Sequence, residues 1–521
     1  MPRPSRRALL AGVAGTAVVG VAGCSAADLV VPAADPTPEP PTVVPRAPSA
    51  SASLAGDAAE LAAAMTGALL ERSRVALLAA DDDETVEAAT LLARSGRWPV
   101  LVGSPGSLAE PTLAELRRLG VEHVVLLGDA VSRDAAQSDL RAEPGLEDVT
   151  VTVAPLPTAA TSTGPPPLPQ DVPVGEVADD DAPAVVVAAS GAASWAALAT
   201  AAALGARTHT DVVDPRETPE VMAALRETPR TPLLALGDDE AAARLLLVQG
   251  TMAQRAPELP GGGVTVFPHR RMVALYGHPG APVLGLLGEQ GVEASIERVG
   301  EYVERYAALV SEPVVPAFEI IASVATGSPG PDEQYSKVWP PETFRAWVDA
   351  AREADVYVVL DLQPGRTDFL TQAKAYEELL LEPHVGLALD PEWRLGPNER
   401  HLVRIGSVEA AEVNAVSDWL AGLVRTHDLP QKVLTLHQFR LSMIRGRESV
   451  RTDHPEVAVV LHADGQGPQG AKQDTWRVLK DDLPEGMWLG WKNFYDEDKP
   501  MLTPEQTVAQ VDPTPWFISY Q

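Results

Sequence analysis

Short apolar runs closed by Gly, Pro or a charged residue alternate along this chain with stretches whose apolar positions recur every three or four residues. The first pattern predicts buried strands and the second amphipathic helices. The alternation is most regular beyond residue 270. Strands are expected at Met272 to Tyr276, Val314 to Ile320, Val356 to Leu360, Val385 to Leu389, Val433 to Leu436, Val457 to Leu461, Met487 to Trp491 and Trp516 to Tyr520. Helices are expected between them at Val292 to Leu309, Pro341 to Ala354, Phe369 to Leu381, Ala410 to Val424 and Gly470 to Lys480. Eight strands with intervening helices match a (β/α)8 barrel, for which about 250 residues are typical. Only the stretch through Ile444 and Arg447 makes a poor helix. An open doubly wound sheet is the alternative, but a last strand at the chain terminus suits closure beside the first.

Upstream, the same alternation occurs in two shorter blocks. One holds the strands Val75 to Ala80, Pro99 to Val102 and Val124 to Leu127, ending at Gly128-Asp129, with helices through Glu87 to Arg94 and Leu113 to Leu119. The other runs from Ala184 to Ala189 through an Ala-rich helix, a weaker strand around Thr210 to Val213, a helix near Val221 and the strand Leu233 to Leu236, ending at Gly237-Asp238. Continuous apolar strands alternating with helices predict parallel sheets covered on both faces. The fold class is therefore α/β: two Rossmann-like parallel-sheet units followed by a C-terminal (β/α)8 barrel. The expected division is 1–23, 24–55, 56–155, 156–181, 182–258 and 268–521. The segments 24–55 and 156–181 are Pro-rich, and such composition favours extended, unpacked chain.

The first of those segments changes the picture. Arg3, Arg6 and Arg7 precede an uncharged run from Ala8 to Val21, which ends in Val21-Ala22-Gly23-Cys24 and the only cysteine of the chain. A basic start, a short apolar stretch and small residues before a cleavage point form an export signal, too short to span a bilayer once mature. The box resembles a bacterial lipoprotein signal, which implies cleavage before Cys24 and lipidation of its thiol. Ser5-Arg6-Arg7-Ala8-Leu9-Leu10 also resembles a twin-arginine signal. The 24–55 segment then reads as a stalk on the outer membrane face. A formal charge of −31 excludes nucleic acid as a partner and leaves the lipid, rather than surface charge, as the membrane attachment.

The two blocks resemble cell wall-binding repeat type 2 modules of Gram-positive surface proteins, through Trp98-Pro99-Val100-Leu101-Val102-Gly103 to Leu108, Leu116-Arg117-Arg118-Leu119-Gly120-Val121 and the Leu-Gly-Asp turn. The resemblance implies binding to an anionic wall polymer. Such modules usually occur in threes, and two are found.

Most barrel strands end in a polar group, where active groups of such barrels gather. His278 follows the first, Glu319 lies in the second, Asp361 ends the third, and Asp390 with Glu392 follows the fourth. His437 ends the fifth, His462 and Asp464 the sixth, and Lys492, Asn493 and Asp496 follow the seventh. Leu387-Ala388-Leu389-Asp390-Pro391-Glu392-Trp393 is the sharpest local signal, with two carboxylates beside an aromatic plane. Paired carboxylates cleave glycosidic bonds, and aromatic faces stack on sugar rings. The position is similar to that of the catalytic acids in barrel glycoside hydrolases. The expected general acid is Asp390 or Glu392, with Asp361 or Asp496 as second carboxylate. Glu319, His278, His437, His462 and Lys492 are expected to contact substrate, and Trp393 and Trp491 to stack on it. Lys492 stands where a seventh-strand carboxylate is wanted, which favours the alternative of a non-catalytic glycan-binding scaffold. A second alternative is a metal-dependent hydrolase using His278, His437 and His462 with Asp390 or Asp361. No cofactor is expected, since no convincing nucleotide-binding glycine pattern or nucleophile elbow is present.

Overall fold

The computed structural model describes residues 42–80, 83–103, 106, 108–127, 130–154, 171–173, 184–189, 194–401 and 403–521. Cys24, the signal and most of the expected second linker lie outside them.

Eight parallel strands close into a barrel: β1 (Arg271–Gly277), β2 (Val314–Ala325), β3 (Tyr357–Leu362), β4 (Val385–Leu389), β5 (Lys432–Gln438), β6 (Val457–Ala463), β7 (Trp488–Asn493) and β8 (Phe517–Tyr520). Closure comes from β1 pairing with both β2 and β8. Each expected strand is present, and the chain terminus does close beside the first. The β5-to-β6 connection holds only 3-10 turns at Leu441–Met443 and Arg447–Ser449 and a two-residue strand, Ile444–Arg445, paired with Val408–Glu409. Gly446 there sits at φ 68, and the buried Arg447 guanidinium donates to the Leu479 carbonyl at 2.9 Å, so side chain and turn replace a helix. A helix that the sequence pattern did not announce, Pro504–Gln510, links β7 to β8. It starts with a capping box between Thr503 and Gln506.

Side chains alternate across the barrel wall. Val273, Leu275, Phe318, Ile320, Val358, Leu360, Leu387, Leu389, Leu434 and Leu436 point out into the helix layer. Met272, Ala274, Ala317, Tyr357, Val359, Ala388, Val433, Ala458, Val460 and Phe517 fill the lumen. Leu259, Val266 and Phe267 close its lower end with Trp488 and Trp516. The 259–267 segment thus belongs to the barrel, which the sequence reading began at 268.

The upstream region contains two four-stranded parallel sheets. One, Val100–Val102, Val75–Ala79, His123–Leu127 and Thr150–Ala154, lies within the first block. The other places Arg207–Val212, Val185–Ala189 and Leu233–Gly237 in the same relative order, and its fourth strand is Ala52–Ala55 from the start of the chain. The stalk therefore does not extend to residue 55. Val43–Pro45 also pairs, antiparallel with Leu70–Ser73. These short apolar segments satisfy sheet edges that would otherwise leave a row of unpaired N–H and C=O groups. The two blocks are not separate cores either. One apolar cluster joins Leu61, Met65, Leu77 and Leu101 with Ala197, Ala201, Leu234 and Leu236, and Thr200 accepts the Val100 N–H at 2.9 Å. Among the described residues, no helix is long and apolar enough to cross a membrane.

Candidate active site

One step further along each strand, the inward series changes chemistry. Two residues beyond Ala274, Ala317, Val359, Ala388, Thr435, Val460, Gly490 and Phe517 stand Tyr276, Glu319, Asp361, Asp390, His437, His462, Lys492 and Ser519. The two-residue repeat of a strand places all eight at the carboxyl end of the lumen. All are nearly inaccessible to solvent. All but Phe517 of the residues below them are small or β-branched, which leaves the space they occupy.

His437 is the hub. Its Nε2 lies 2.8 Å from Glu319 Oε1 and 3.9 Å from Asp361 Oδ1, and its Nδ1 lies 3.0 Å from Asp464 Oδ2. Tyr276 donates its hydroxyl to Asp361 Oδ2 at 2.8 Å, and Lys492 Nζ stands 3.4 Å from the centre of the Tyr276 ring. His462 contacts Ser519 Oγ through Nε2 at 3.1 Å, while its Nδ1 lies 3.7 Å from Glu319 Oε1. Four buried atoms of this cluster make no hydrogen bond within the chain: Glu319 Oε2, Asp361 Oδ1, His462 Nδ1 and Asp464 Oδ1.

Burial and crowding of like charge separate the acids. Burial lifts the Asp361 carboxyl to about 6 against the pull of His437, with Glu319 adding to the rise. Asp390 is raised well above its ordinary range, by burial first and then by Asp361, Asp464 and Glu392. Glu392 is pushed up to about 7 by burial and by the negative charge of Asp464. Glu319 and Asp464 move the other way: burial would raise both, but His437 holds them below their usual values. The charges of Glu319 and Asp361 raise His437 well above an ordinary imidazole despite its burial, whereas burial lowers His462. Separated carboxyl environments of this kind are what acid and base roles require.

Glu392 occupies the rim. Asp390 caps a 3-10 turn, Pro391–Trp393, and accepts the Glu392 N–H at 3.2 Å, which turns the Glu392 side chain toward an open cleft of about 410 Å3. Trp393, His401, Arg404 and Arg440 share that lining.

No protein-family model matches this chain, and neither does any curated protein. Among solved structures it is similar to the xylanase and α-amylase inhibitor protein XAIP-II from Scadoxus multiflorus. The identity is 13% and the TM-score 0.28, over 48% of this chain and 92% of that one. A score that low carries no inference about chemistry.

Of the residues expected from sequence, Glu319, Asp361, Asp390, His437, His462 and Lys492 meet in the lumen, and Glu392 and Trp393 line the cleft. Three do not join them. His278 packs against Trp339 and Phe344 and uses Nδ1 on the Ile321 carbonyl at 2.8 Å, because β1 has ended and its chain turns away. Trp491 lies on the outer face of β7 against Trp476, since its neighbour Lys492 takes the inward position. It fills a core and is closed to a sugar ring. Asp496 is exposed on the loop after β7, and the buried acid there is Asp498, ion-paired with Lys472. Sequence reading missed Tyr276 and Ser519 as site residues and gave Asp464 no role. The two-residue repeat from Ala274 and Phe517 was the available signal for the first two.

Proposed function

We propose that this protein binds a polysaccharide in the cleft at the barrel mouth and hydrolyses it, with Glu392 as general acid. The supporting observation is that Glu392 alone joins the carboxylate cluster to the open cleft, beside the Trp393 ring, with its carboxyl near 7. A protonated carboxyl there gives its proton to the glycosidic oxygen as the bond breaks. Asp464, the charge that most raises Glu392, supplies the second carboxylate: its Oδ2 is held by His437 and its Oδ1 is free of protein partners. Asp390 fixes the Glu392 backbone and is the acid's positioning residue.

Incubation of the purified chain with cell-wall glycans, with reducing ends assayed, tests the reading. Glu392→Gln is expected to lower turnover at least about 100-fold while glycan binding persists. Undiminished release by that variant would sink the assignment. Lys492 at the seventh strand supports a second reading, a glycan-binding protein without turnover, for which wild type and Glu392→Gln bind alike and neither releases sugar. The basic and apolar start of the chain supports export and lipid attachment at Cys24, with the two upstream sheets facing wall polymer. Cys24→Ser is then expected to move the protein from the membrane fraction to the medium, as read by immunoblotting.

A further inference from the structure

We infer that the lumen beneath the cleft is a divalent-metal site built from His437, His462, Glu319 and Asp361. One ligand atom from each of Glu319, His437 and His462 lies within 4.8 Å of the others. Asp361 Oδ1 approaches the same His437 nitrogen at 3.9 Å. Two ligands each about 2.1 Å from a tetrahedral ion stand about 3.4 Å apart. The observed spacings of 2.8, 3.7 and 3.9 Å bracket that value.

The pattern of used and unused atoms carries the inference. In metal sites a ligating histidine is held through its other nitrogen by a hydrogen-bond acceptor such as a carboxylate, a carbonyl or water, and ligating carboxylates are themselves hydrogen-bonded. Each arrangement recurs here. Asp464 holds Nδ1 of His437, leaving Nε2 inward on Glu319 Oε1. Ser519 holds Nε2 of His462, leaving Nδ1 inward with no partner. Tyr276 holds one oxygen of Asp361 and leaves the other without a partner, as is Glu319 Oε2. Unpaired polar atoms in so buried a place are costly, about 1–3 kcal/mol each, unless something takes them. A cation bound there takes the Glu319, Asp361 and His462 atoms at once, leaving Asp464 Oδ1 outside the site.

A second grouping, Asp390 with His437 and Asp464, is also close enough to share an ion. It would consume the contact that orients His437, so the first grouping is the one the geometry favours. Two imidazoles with two carboxylates suit a borderline ion such as Zn2+ or Fe2+ rather than Mg2+, Ca2+ or Mn2+, which prefer oxygen ligands. Glu392 and the cleft contribute no ligand, but Asp464 is common to both readings, holding His437 here and serving as second carboxylate in the glycan reading.

The full-length chain, stripped with chelator, reloaded with Zn2+ and desalted, tests this by elemental analysis and titration calorimetry. About one Zn2+ per chain is expected for wild type and for Glu392→Gln, and none above buffer for His462→Ala or Glu319→Gln. Ser519→Ala is expected to keep its circular dichroism spectrum and bind Zn2+ about 10- to 100-fold more weakly. That variant decides the matter if the ligand variants misfold. Wild type emerging without zinc, or equal retention by Ser519→Ala and His462→Ala, overturns the site. Loss of glycan turnover by Glu392→Gln with zinc retained would uphold both proposals, and zinc retention with no glycan turnover by any variant would leave only the metal site.

Discussion

At the residue scale, the molecule concentrates buried charge at both ends of its strands, and the two ends behave differently. At the lower end Lys432 begins β5 with its side chain fully enclosed, donating to the carbonyls of Glu382 and Pro383. Burial lowers its ammonium to about 7. Between that value and the ordinary lysine range the unfolded chain binds the extra proton, so native stability falls as pH drops toward 7 and is constant below it. Lys432→Met is therefore expected to gain on wild type by about 1.4 kcal/mol for each pH unit between 10 and 7. Urea unfolding at several pH values reads this, and a pH-independent difference would refute it. At the upper end, Glu392 must hold its proton to act, so turnover is expected to fall as pH rises through about 7. A rate profile flat from pH 6 to 8 would contradict its role as acid.

At the element scale, eight strands were legible because each is a continuous apolar run, buried on both faces, between stretches with helical spacing. The Pro504–Gln510 helix was not, since too few of its residues are apolar to show a period. Connections carry as much of the site as strands do. After β1 the chain folds back so closely that a Cβ on Gly285 would lie 2.6 Å from the Tyr276 carbonyl oxygen, and Gly285 holds φ 126. Only glycine adopts that conformation without strain. Gly285→Ala is expected to cost about 1–3 kcal/mol and to displace Tyr276 from Asp361. A thermal melt unchanged from wild type would show that the loop yields instead. The outward Trp491 and inward Lys492 make the related point that adjacent residues of one strand serve opposite layers. An aromatic near the end of a strand is therefore no guide to the site until its face is known.

At the scale of the whole molecule, the upstream blocks that look separable in sequence share one apolar cluster, and Ala52–Ala55, from before the first block, completes the sheet of the second. Chains 56–155 and 182–258 expressed apart are expected to aggregate, whereas the full chain stays monodisperse; soluble, folded halves by light scattering and circular dichroism would contradict the shared core. The barrel is also tied to that region, through Arg216 on the Pro455 carbonyl and Met252 in the cluster beneath the helices. By itself the sequence determined the class of fold, the eight strands, and the carboxyl-end acids and imidazoles. Local patterns sufficed there, because burial and strand period are written in neighbouring residues. Tertiary structure alone decided that Asp464 and Tyr276 orient His437 and Asp361, that His278, Trp491 and Asp496 stand outside, and that residues 52–55 complete a distant sheet. Those choices depend on contacts between residues far apart in the chain, where closure of the barrel, rather than any local preference, sets which side chains share a space.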